Sequence, residues 1–193
     1  MLPIETMNRT SALAVFSACW ILFEAAFALR KHSSEALGER RDRGSLPLFW
    51  AMTAISCVLG WIFARQSVGT IAAPALFWIG LALIVAGTVI RWIAILTLRR
   101  LFTVSVTIRE GHQLIRYGIY SIVRHPAYIG WIVSYIGIGL AIRNWLSLTA
   151  ILIATIIGFG YRIRVEEHAL TARFGEEYSD YAARTKRLIP GIY

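Results

Sequence analysis

Acidic residues and cysteines are scarce in this chain of 193 residues. Aspartate and glutamate together number 11, against 20 lysines and arginines, and charged residues make up 16% of the sequence. The two cysteines, Cys19 and Cys57, both lie inside apolar segments, so neither a disulfide framework nor a cysteine-based metal site is predicted. So little charge is unusual for a soluble domain.

Apolar residues dominate the composition instead. They form 57% of the sequence, and the mean hydropathy is +0.60, which is typical of an integral membrane protein. The formal net charge of +9 does not indicate a nucleic-acid partner, because the basic residues stand in blocks beside apolar runs. We expect anionic lipid headgroups to provide their counter-charge.

Five apolar runs are long enough to cross a bilayer, which takes roughly 17 to 25 helical residues. We predict an all-α integral membrane protein that forms a single membrane domain over residues 1–193, with spans at about 11–29, 46–64, 73–98, 126–142 and 145–161. Only Arg143 and Asn144 separate the last two spans. This short connection predicts a tight antiparallel helical hairpin.

Basic residues are distributed unevenly between the segments that join these spans. Sixteen of them lie in residues 30–45, 99–125 and 162–193, whereas the alternate segments hold three. The positive-inside rule then predicts an N-terminus outside and a C-terminus in the cytoplasm. Glu24 and Arg91 fall within spans, and we expect them to reach the interface, to pair with each other, or to line a lipid headgroup pocket.

Two polar strings flank the predicted hairpin on its cytoplasmic side. They are Gly118-Ile-Tyr-Ser-Ile-Val-Arg-His-Pro-Ala-Tyr-Ile-Gly130 and Glu166-Glu-His-Ala-Leu-Thr-Ala-Arg-Phe-Gly-Glu-Glu-Tyr178. Charged groups beside lipid are costly unless they have polar partners, so we expect a charged cofactor to join the two strings. Residues 162–186 predict an amphipathic helix with a break near Gly175, and residues 101–108 predict an extended strap on the membrane surface.

The polar motifs occur in a characteristic order. Arg124-His-Pro-Ala-Tyr-Ile-Gly130 and the hairpin precede Arg162-x-x-x-Glu-Glu-x-x-Leu170, Phe174-Gly-Glu-Glu-Tyr-x-x-Tyr181 and Arg187-x-Ile-Pro190. This combination closely resembles the isoprenylcysteine carboxyl methyltransferase family over about residues 99–193, the predicted catalytic half. A five-span chain is similar to the compact prokaryotic members. Phospholipid N-methyltransferases share part of the same skeleton, although Arg124-His125 favours the carboxyl branch.

The resemblance implies an enzyme that methylates the carboxylate of a lipid-like, isoprenylcysteine-type substrate, using S-adenosylmethionine and releasing S-adenosylhomocysteine. It implies a cofactor pocket at the cytoplasmic face, formed by the segment before the fourth span and by the C-terminal helix. Arg162 and Glu166 are the expected catalytic residues, with Arg162 holding the substrate carboxylate. The expected cofactor-binding residues are His112, Gly118, Tyr120, Arg124, His125, Pro126, Tyr128 and Glu167.

The chemistry of the cofactor suits these residue types. S-adenosylmethionine carries a sulfonium, an amino group, a carboxylate and an adenine, so its site needs acidic, basic and aromatic groups together. A helix that begins at Pro126 directs unpaired backbone N–H groups toward the methionyl carboxylate. Glu166 and Glu167 can reach the amino group, while Tyr120 and Tyr128 can stack on the adenine.

Each of these features also has a structural explanation. An Arg-His-Pro segment at residues 124–126 is also typical of an interfacial helix cap. Paired glutamates are typical of a solvated helix face, and tyrosines are typical of an interfacial aromatic belt. No metal site is predicted from His112, His125 and the paired glutamates, because they lack the spacing of zinc-binding motifs.

Three functions are compatible with the sequence. The first is methylation of a lipid-anchored carboxylate, the second is methylation of an amine headgroup such as phosphatidylethanolamine, and the third is a non-catalytic role for the same scaffold. The expected partner of an enzyme is a lipophilic small molecule or a lipidated substrate that arrives from the bilayer. In a prokaryote the protein would lie in the inner plasma membrane. No oligomeric state is predicted.

Overall fold

Apolar helices form most of the molecule. The computed structural model describes residues 20, 24, 26, 39–40, 42–102, 107–108 and 113–190. Its helices are α1 (Ser45–Ala64), α2 (Ala75–Leu98), α3 (Pro126–Ile142), α4 (Trp145–Phe174) and α5 (Glu176–Arg184). Two short strands, β1 (Glu39–Arg40) and β2 (Thr107–Ile108), pair antiparallel. Among the described helices, α1, α2 and α4 are long and apolar enough to cross a membrane, and α3 is an apolar helix of 17 residues.

The helix bounds agree with four of the predicted spans, with one difference. The predicted fifth span and the amphipathic segment after it form one continuous helix of 30 residues, α4, which ends at the predicted break before Gly175. The first predicted span lies outside the described residues apart from Trp20, Glu24 and Ala26, which are helical. The five-span count therefore stays a prediction. Of the predicted strap, the structure describes Thr107 and Ile108 as extended.

Local sequence signals explain the α3–α4 hairpin. Pro126 stands at the first position of α3, where its missing N–H costs no helical hydrogen bond. Arg143 ends α3 in a left-handed conformation with φ +58°. Asn144 then caps α4, because its side-chain oxygen accepts the backbone N–H groups of Leu146 and Ser147 at 3.0 and 3.1 Å. The predicted tight turn is confirmed.

The loop between α1 and α2 is fixed to this turn. The Nε and Nη2 atoms of Arg143 each lie 3.3 Å from the carbonyl oxygen of Ile71. The side-chain amide of Asn144 donates to the carbonyl of Val68 at 2.9 Å, and the backbone N–H of Trp145 donates to Gly69 at 2.9 Å. The α3–α4 turn and the α1–α2 loop thus provide each other with polar partners, at the end of the bundle opposite the two polar strings.

Glycines bring α2 and α3 into backbone contact. A Cβ atom placed on Gly87 would lie 2.4 Å from the carbonyl oxygen of Gly130, and one on Gly80 would lie 2.4 Å from that of Gly137. Real Cβ atoms do not approach backbone so closely, so only glycine fits at these crossings. Small residues allow this close packing in membranes, where dispersion contacts replace the hydrophobic effect between helices.

Aromatic side chains hold α1, α3 and α4 together. The ring centroid of Phe49 on α1 lies 4.8 Å from that of Trp131 on α3 and 5.1 Å from that of Phe159 on α4. Tyr135 completes the group and shares a hydrogen-bonding contact of 3.1 Å with the hydroxyl of Thr53. A narrow gap with room for about one water molecule lies between the three helices beside these rings.

Substitution of Gly87 tests the contact between α2 and α3. We expect Gly87→Ala to lower the free energy of unfolding by about 1–3 kcal/mol, because the added methyl group must push backbone apart. Gly160→Ala is the matched control, since a Cβ on Gly160 meets no atom within 4 Å. Thermal unfolding in detergent compares the two variants, and equal melting temperatures would contradict the packing described.

Candidate active site

The two polar strings meet where α3 begins and the second half of α4 runs past it. The segment before α3 pairs with the chain after α5: the backbone N–H of Arg124 donates to Lys186 at 2.8 Å, and that of His125 donates to Arg187 at 3.1 Å. The end of the chain is therefore joined to the start of α3 by backbone hydrogen bonds. Side chains from α3, α4 and both segments form one polar cluster.

Glu167 is the centre of this cluster. Its Oε1 accepts a hydrogen bond from Nε of Arg124 at 3.0 Å and lies 3.3 Å from Nε2 of His125. Its Oε2 accepts from Nε of Arg187 at 2.8 Å. Two guanidinium groups and an imidazole thus surround one carboxylate, which is 12% exposed. Such charge-assisted hydrogen bonds are among the stronger polar interactions in proteins.

Arg124 also fixes the end of α5. Its Nη1 donates to the carbonyl oxygen of Ala182 at 2.8 Å and to that of Thr185. These carbonyls belong to the last turn of α5 and its flank, where the helix leaves backbone acceptors without intrahelical partners. Arg124 therefore connects α4, through Glu167, with the C-terminal end of α5.

A second chain of contacts runs from Glu166 to Arg162 through Tyr128. The hydroxyl of Tyr128 donates to Oε2 of Glu166 at 2.6 Å and accepts from Nε of Arg162 at 3.1 Å. The ring of Tyr128 stacks on that of His125, with centroids 5.5 Å apart and planes 16° apart. The Glu166 side chain is 33% exposed, so it faces outward more than Glu167 does.

Arg162 reaches the N-terminal half of the chain as well. Its Nη1 lies 3.3 Å from Oδ1 of Asp42 and 3.1 Å from Oγ of Ser45, at the start of α1. Arg162 and Asp42 are both buried. One guanidinium thus connects α1, α3 and α4.

Three tyrosines line the region around α5. The hydroxyl of Tyr181 donates to the carbonyl oxygen of Tyr120 at 2.7 Å, which ties α5 to the turn at residues 118–121. Burial raises the pKa of Tyr181 to about 12 and raises the pKa values of Tyr120 and Tyr178 further. All three phenols are therefore neutral at physiological pH. The buried hydroxyl of Tyr178 finds no hydrogen-bond partner in the described structure.

The structure brings most of the candidate residues together. Arg124, His125, Tyr128, Arg162 and the paired glutamates contact one another directly. Pro126 starts the helix on which Tyr128 lies, and Tyr120 packs with Ala94 and Ala127 beside it. Gly118 adopts φ +61° in an exposed turn next to Thr97. His112 lies outside the described residues.

Several members of the cluster were not candidates from the sequence. Arg187 was part of a motif with no assigned role, and it contacts Glu167 directly. Asp42 and Ser45 precede an apolar run, which is a helix-start signal, but nothing in the sequence connects them with Arg162. Among the described residues, no group of three His, Cys, Asp or Glu side chains is arranged to hold a metal ion.

Glu24 and Arg91 pair with each other, one of the arrangements expected from the sequence. Oε2 of Glu24 lies 3.0 Å from Nε and 2.9 Å from Nη2 of Arg91. The guanidinium also lies over the ring of Trp131, 4.7 Å from its centroid. Pairing reduces the cost of burying both charges within the bundle.

The family of isoprenylcysteine carboxyl methyltransferases matches residues 78–172 of this chain. The chain is 37% identical over 121 residues to protein-S-isoprenylcysteine O-methyltransferase B of Arabidopsis thaliana, an alignment that covers 60% of this chain and 61% of that protein. It is 35% identical over 121 residues to protein-S-isoprenylcysteine O-methyltransferase of Dictyostelium discoideum, covering 62% and 51% of the two chains.

A solved structure is similar as well. It is that of the eukaryotic intramembrane Ras methyltransferase ICMT, isoprenylcysteine carboxyl methyltransferase, determined without a monobody. The TM-score is 0.63 at 32% identity, and the match covers 76% of this chain and 53% of the other. The helical arrangement and the membrane setting are therefore shared.

The chain spans about three fifths of the length of the Arabidopsis relative and about half of the solved structure. The expected kinship with compact prokaryotic members is not borne out, because the relatives named above are eukaryotic.

Substitution of Arg124 tests its role as a connector. We expect Arg124→Ala to lower the free energy of unfolding by roughly 3 kcal/mol, because a largely buried carboxylate loses a partner. Backbone amides of α5 should also exchange faster with deuterium, since two carbonyls at its end lose their donor. Arg164→Ala removes an exposed arginine of the same α4–α5 region and is the control. Equal exchange in both variants would refute the connecting role.

Proposed function

We propose that this chain, which matches the isoprenylcysteine carboxyl methyltransferase family over residues 78–172, transfers a methyl group from S-adenosylmethionine to the carboxylate of an isoprenylcysteine-type substrate at the membrane. The observation that carries the proposal is the chain of contacts from Glu166 through Tyr128 to Arg162. It places an outward-facing carboxylate and a buried guanidinium on two sides of one phenol. A cationic cofactor and an anionic substrate need such a pair of opposite charges near each other.

The donor set suits S-adenosylmethionine. The positive end of the α3 helix dipole suits an anionic carboxylate, while the imidazole of His125 already faces both glutamates. The buried Tyr178 hydroxyl without a partner, which lies near the charges of Glu167 and Arg124, is a further donor that a bound polar group would satisfy. When bound, the cofactor supplies an electrophilic methyl group on a sulfonium.

We assign different roles to the two glutamates. Glu167 already has two arginines and His125 as partners, so its charge is balanced within the protein. Glu166 has one short hydrogen bond, from Tyr128, and its Oε2 lies 3.7 Å from Nδ1 of His125. A third of its side chain is exposed. We therefore propose that Glu166 receives the amino group of the cofactor and that Glu167 maintains the site. The sequence alone had suggested a catalytic role for Glu166 and cofactor binding by Glu167.

The methyl transfer needs no general base. A carboxylate oxygen of the substrate would form a bond to the methyl carbon while the methyl–sulfur bond breaks. The electron pair of the broken bond would stay on sulfur. No proton moves, because the carboxylate is ionised at neutral pH. The protein contributes alignment and exclusion of water, and Arg162 is the residue we propose to orient the carboxylate.

The lipophilic part of the substrate has an apolar environment beside the site. The aromatic rings of Phe49, Tyr135 and Phe159 lie between α1, α3 and α4, and Phe159 contacts Tyr128 at a centroid distance of 5.3 Å. We propose that the substrate enters from the bilayer. The excess of basic residues on the side of the cluster supports a cytoplasmic position for the site and for the C-terminus.

Methyl labelling tests the proposed activity. Purified protein with methyl-labelled S-adenosylmethionine and an N-acetyl-S-isoprenylcysteine should yield a labelled product that releases its label as methanol in base, as an ester does. The matching carboxamide, which lacks the nucleophile, is the control and should stay unlabelled. Base-stable label on phosphatidylethanolamine, at a rate that rises steeply with pH, would instead indicate methylation of an amine headgroup.

The two glutamates are distinguished by substitution. We expect Glu166→Gln to weaken S-adenosylhomocysteine binding roughly tenfold or more, because a charge-assisted hydrogen bond to the ligand amino group is lost. Its melting temperature should stay close to that of the unchanged protein. Glu167→Gln should lower the melting temperature, since two arginines lose their counter-charge. Calorimetric titration and thermal unfolding measure the two effects, and full affinity in Glu166→Gln would exclude the assignment.

A further inference from the structure

Asp42 lies buried in the turn that leads into α1, and its carboxylate contacts Ser45, Leu46 and Arg162. Oδ1 accepts the hydroxyl of Ser45 at 2.8 Å, and Oδ2 accepts the backbone N–H of Leu46 at 3.0 Å. Oδ1 also lies 3.3 Å from Nη1 of Arg162. The side chains of Asp42 and Arg162 are 4% and 6% exposed, so solvent screens their interaction little.

The turn itself is attached to α4 at two successive residues. The hydroxyl of Tyr161 donates to the carbonyl of Arg43 at 3.0 Å, and Nη1 of Arg162 lies 3.1 Å from Oγ of Ser45. Nε of the same guanidinium donates to Tyr128. Contacts at two of its nitrogens, from α1 and from α3, fix the plane of the guanidinium.

The proposed reaction neutralises the charges of both reactants. An anionic carboxylate and a cationic sulfonium become a neutral ester and a neutral thioether, so the attacking oxygen loses negative charge as the new bond forms. A cation beside that oxygen stabilises the ground state more than the transition state. An arginine that held the substrate with its full charge would therefore slow the step that it prepares.

We propose that Asp42 is a positioning residue that fixes the guanidinium of Arg162 and offsets its charge. The substrate carboxylate is then oriented without being held too tightly. This inference rests on the proposed function and deepens it. It also gives the N-terminal half a part in the site, because Asp42 lies before the region that matches the family, residues 78–172.

Asp42→Asn removes the negative charge of residue 42 and nearly preserves the shape of its side chain. Asparagine keeps an oxygen that can accept the N–H of Leu46, so the start of α1 retains this hydrogen bond. The matched control is Glu177→Gln, which makes the same chemical change in the exposed pair of Glu177 with Arg116. Two measurements are compared: the dissociation constant of N-acetyl-S-isoprenylcysteine with S-adenosylhomocysteine present, and the single-turnover rate with S-adenosylmethionine.

We expect Asp42→Asn to bind the acid about threefold or more tightly while its single-turnover rate falls about tenfold or more. The carboxamide analogue has no charge, so its affinity should stay within about twofold. S-adenosylhomocysteine affinity should also be unchanged within about threefold. A merely structural role predicts something different, namely weaker binding of both acid and amide together with a lower melting temperature.

Weaker acid binding, or a rate within twofold of the unchanged protein, overturns the inference while the proposed function stands. Should Asp42→Asn fail to fold, Ser45→Ala decides, since it removes one contact to the guanidinium and keeps the carboxylate. That variant should show a lower rate with unchanged acid affinity, and an unchanged rate would overturn the inference. If the unchanged protein forms no ester at all, the proposed function fails first, and the inference falls with it.

Discussion

The arrangement of the polar cluster depends on the neutralisation of one carboxylate, that of Glu167. An isolated carboxylate with so little exposure would be costly, and the two arginines beside it would repel each other without it. Because its partners come from the start of α3 and from the chain after α5, balancing this charge also brings those segments together. Electrostatics at Glu167 and chain topology therefore support each other. The remaining polar groups, from Tyr128 to Arg162, pack beside the segments that Glu167 joins.

Much of the fold could be predicted because its determinants are local. Pro126 marks the start of α3, Arg143 and Asn144 mark the turn, and Gly175 marks the break between α4 and α5. The contact of the His-Pro segment with the paired glutamates was also predicted, from the need of charged groups for partners. The continuous helix α4 was not predicted, because hydropathy changes at Arg162 although helical hydrogen bonding continues through it.

The parts that sequence reasoning missed are contacts between distant residues. Asp42 and Arg162 are 120 positions apart, and neither the helix-start signal at one nor the motif at the other indicates the pair. Likewise, the glycines of α2 and α3 look like ordinary residues of membrane helices, and only the backbone geometry shows that they face one another. Roles within the paired glutamates also needed the structure, since adjacent residues of one type differ only in what surrounds them.

The uninterrupted helix α4 fixes the distance between Arg162 and the opposite end of the bundle. Thirty residues at about 1.5 Å each make a rod of about 45 Å, longer than the roughly 30 Å of a bilayer's hydrocarbon layer. Trp145 stands at one end, and Arg162 follows about 26 Å along the rod. A rigid rod cannot adjust this spacing. The depth at which the proposed lipid-borne carboxylate would meet Arg162 therefore depends on the bilayer as much as on the protein. A thicker bilayer would submerge this position, and a thinner one would leave it at the surface.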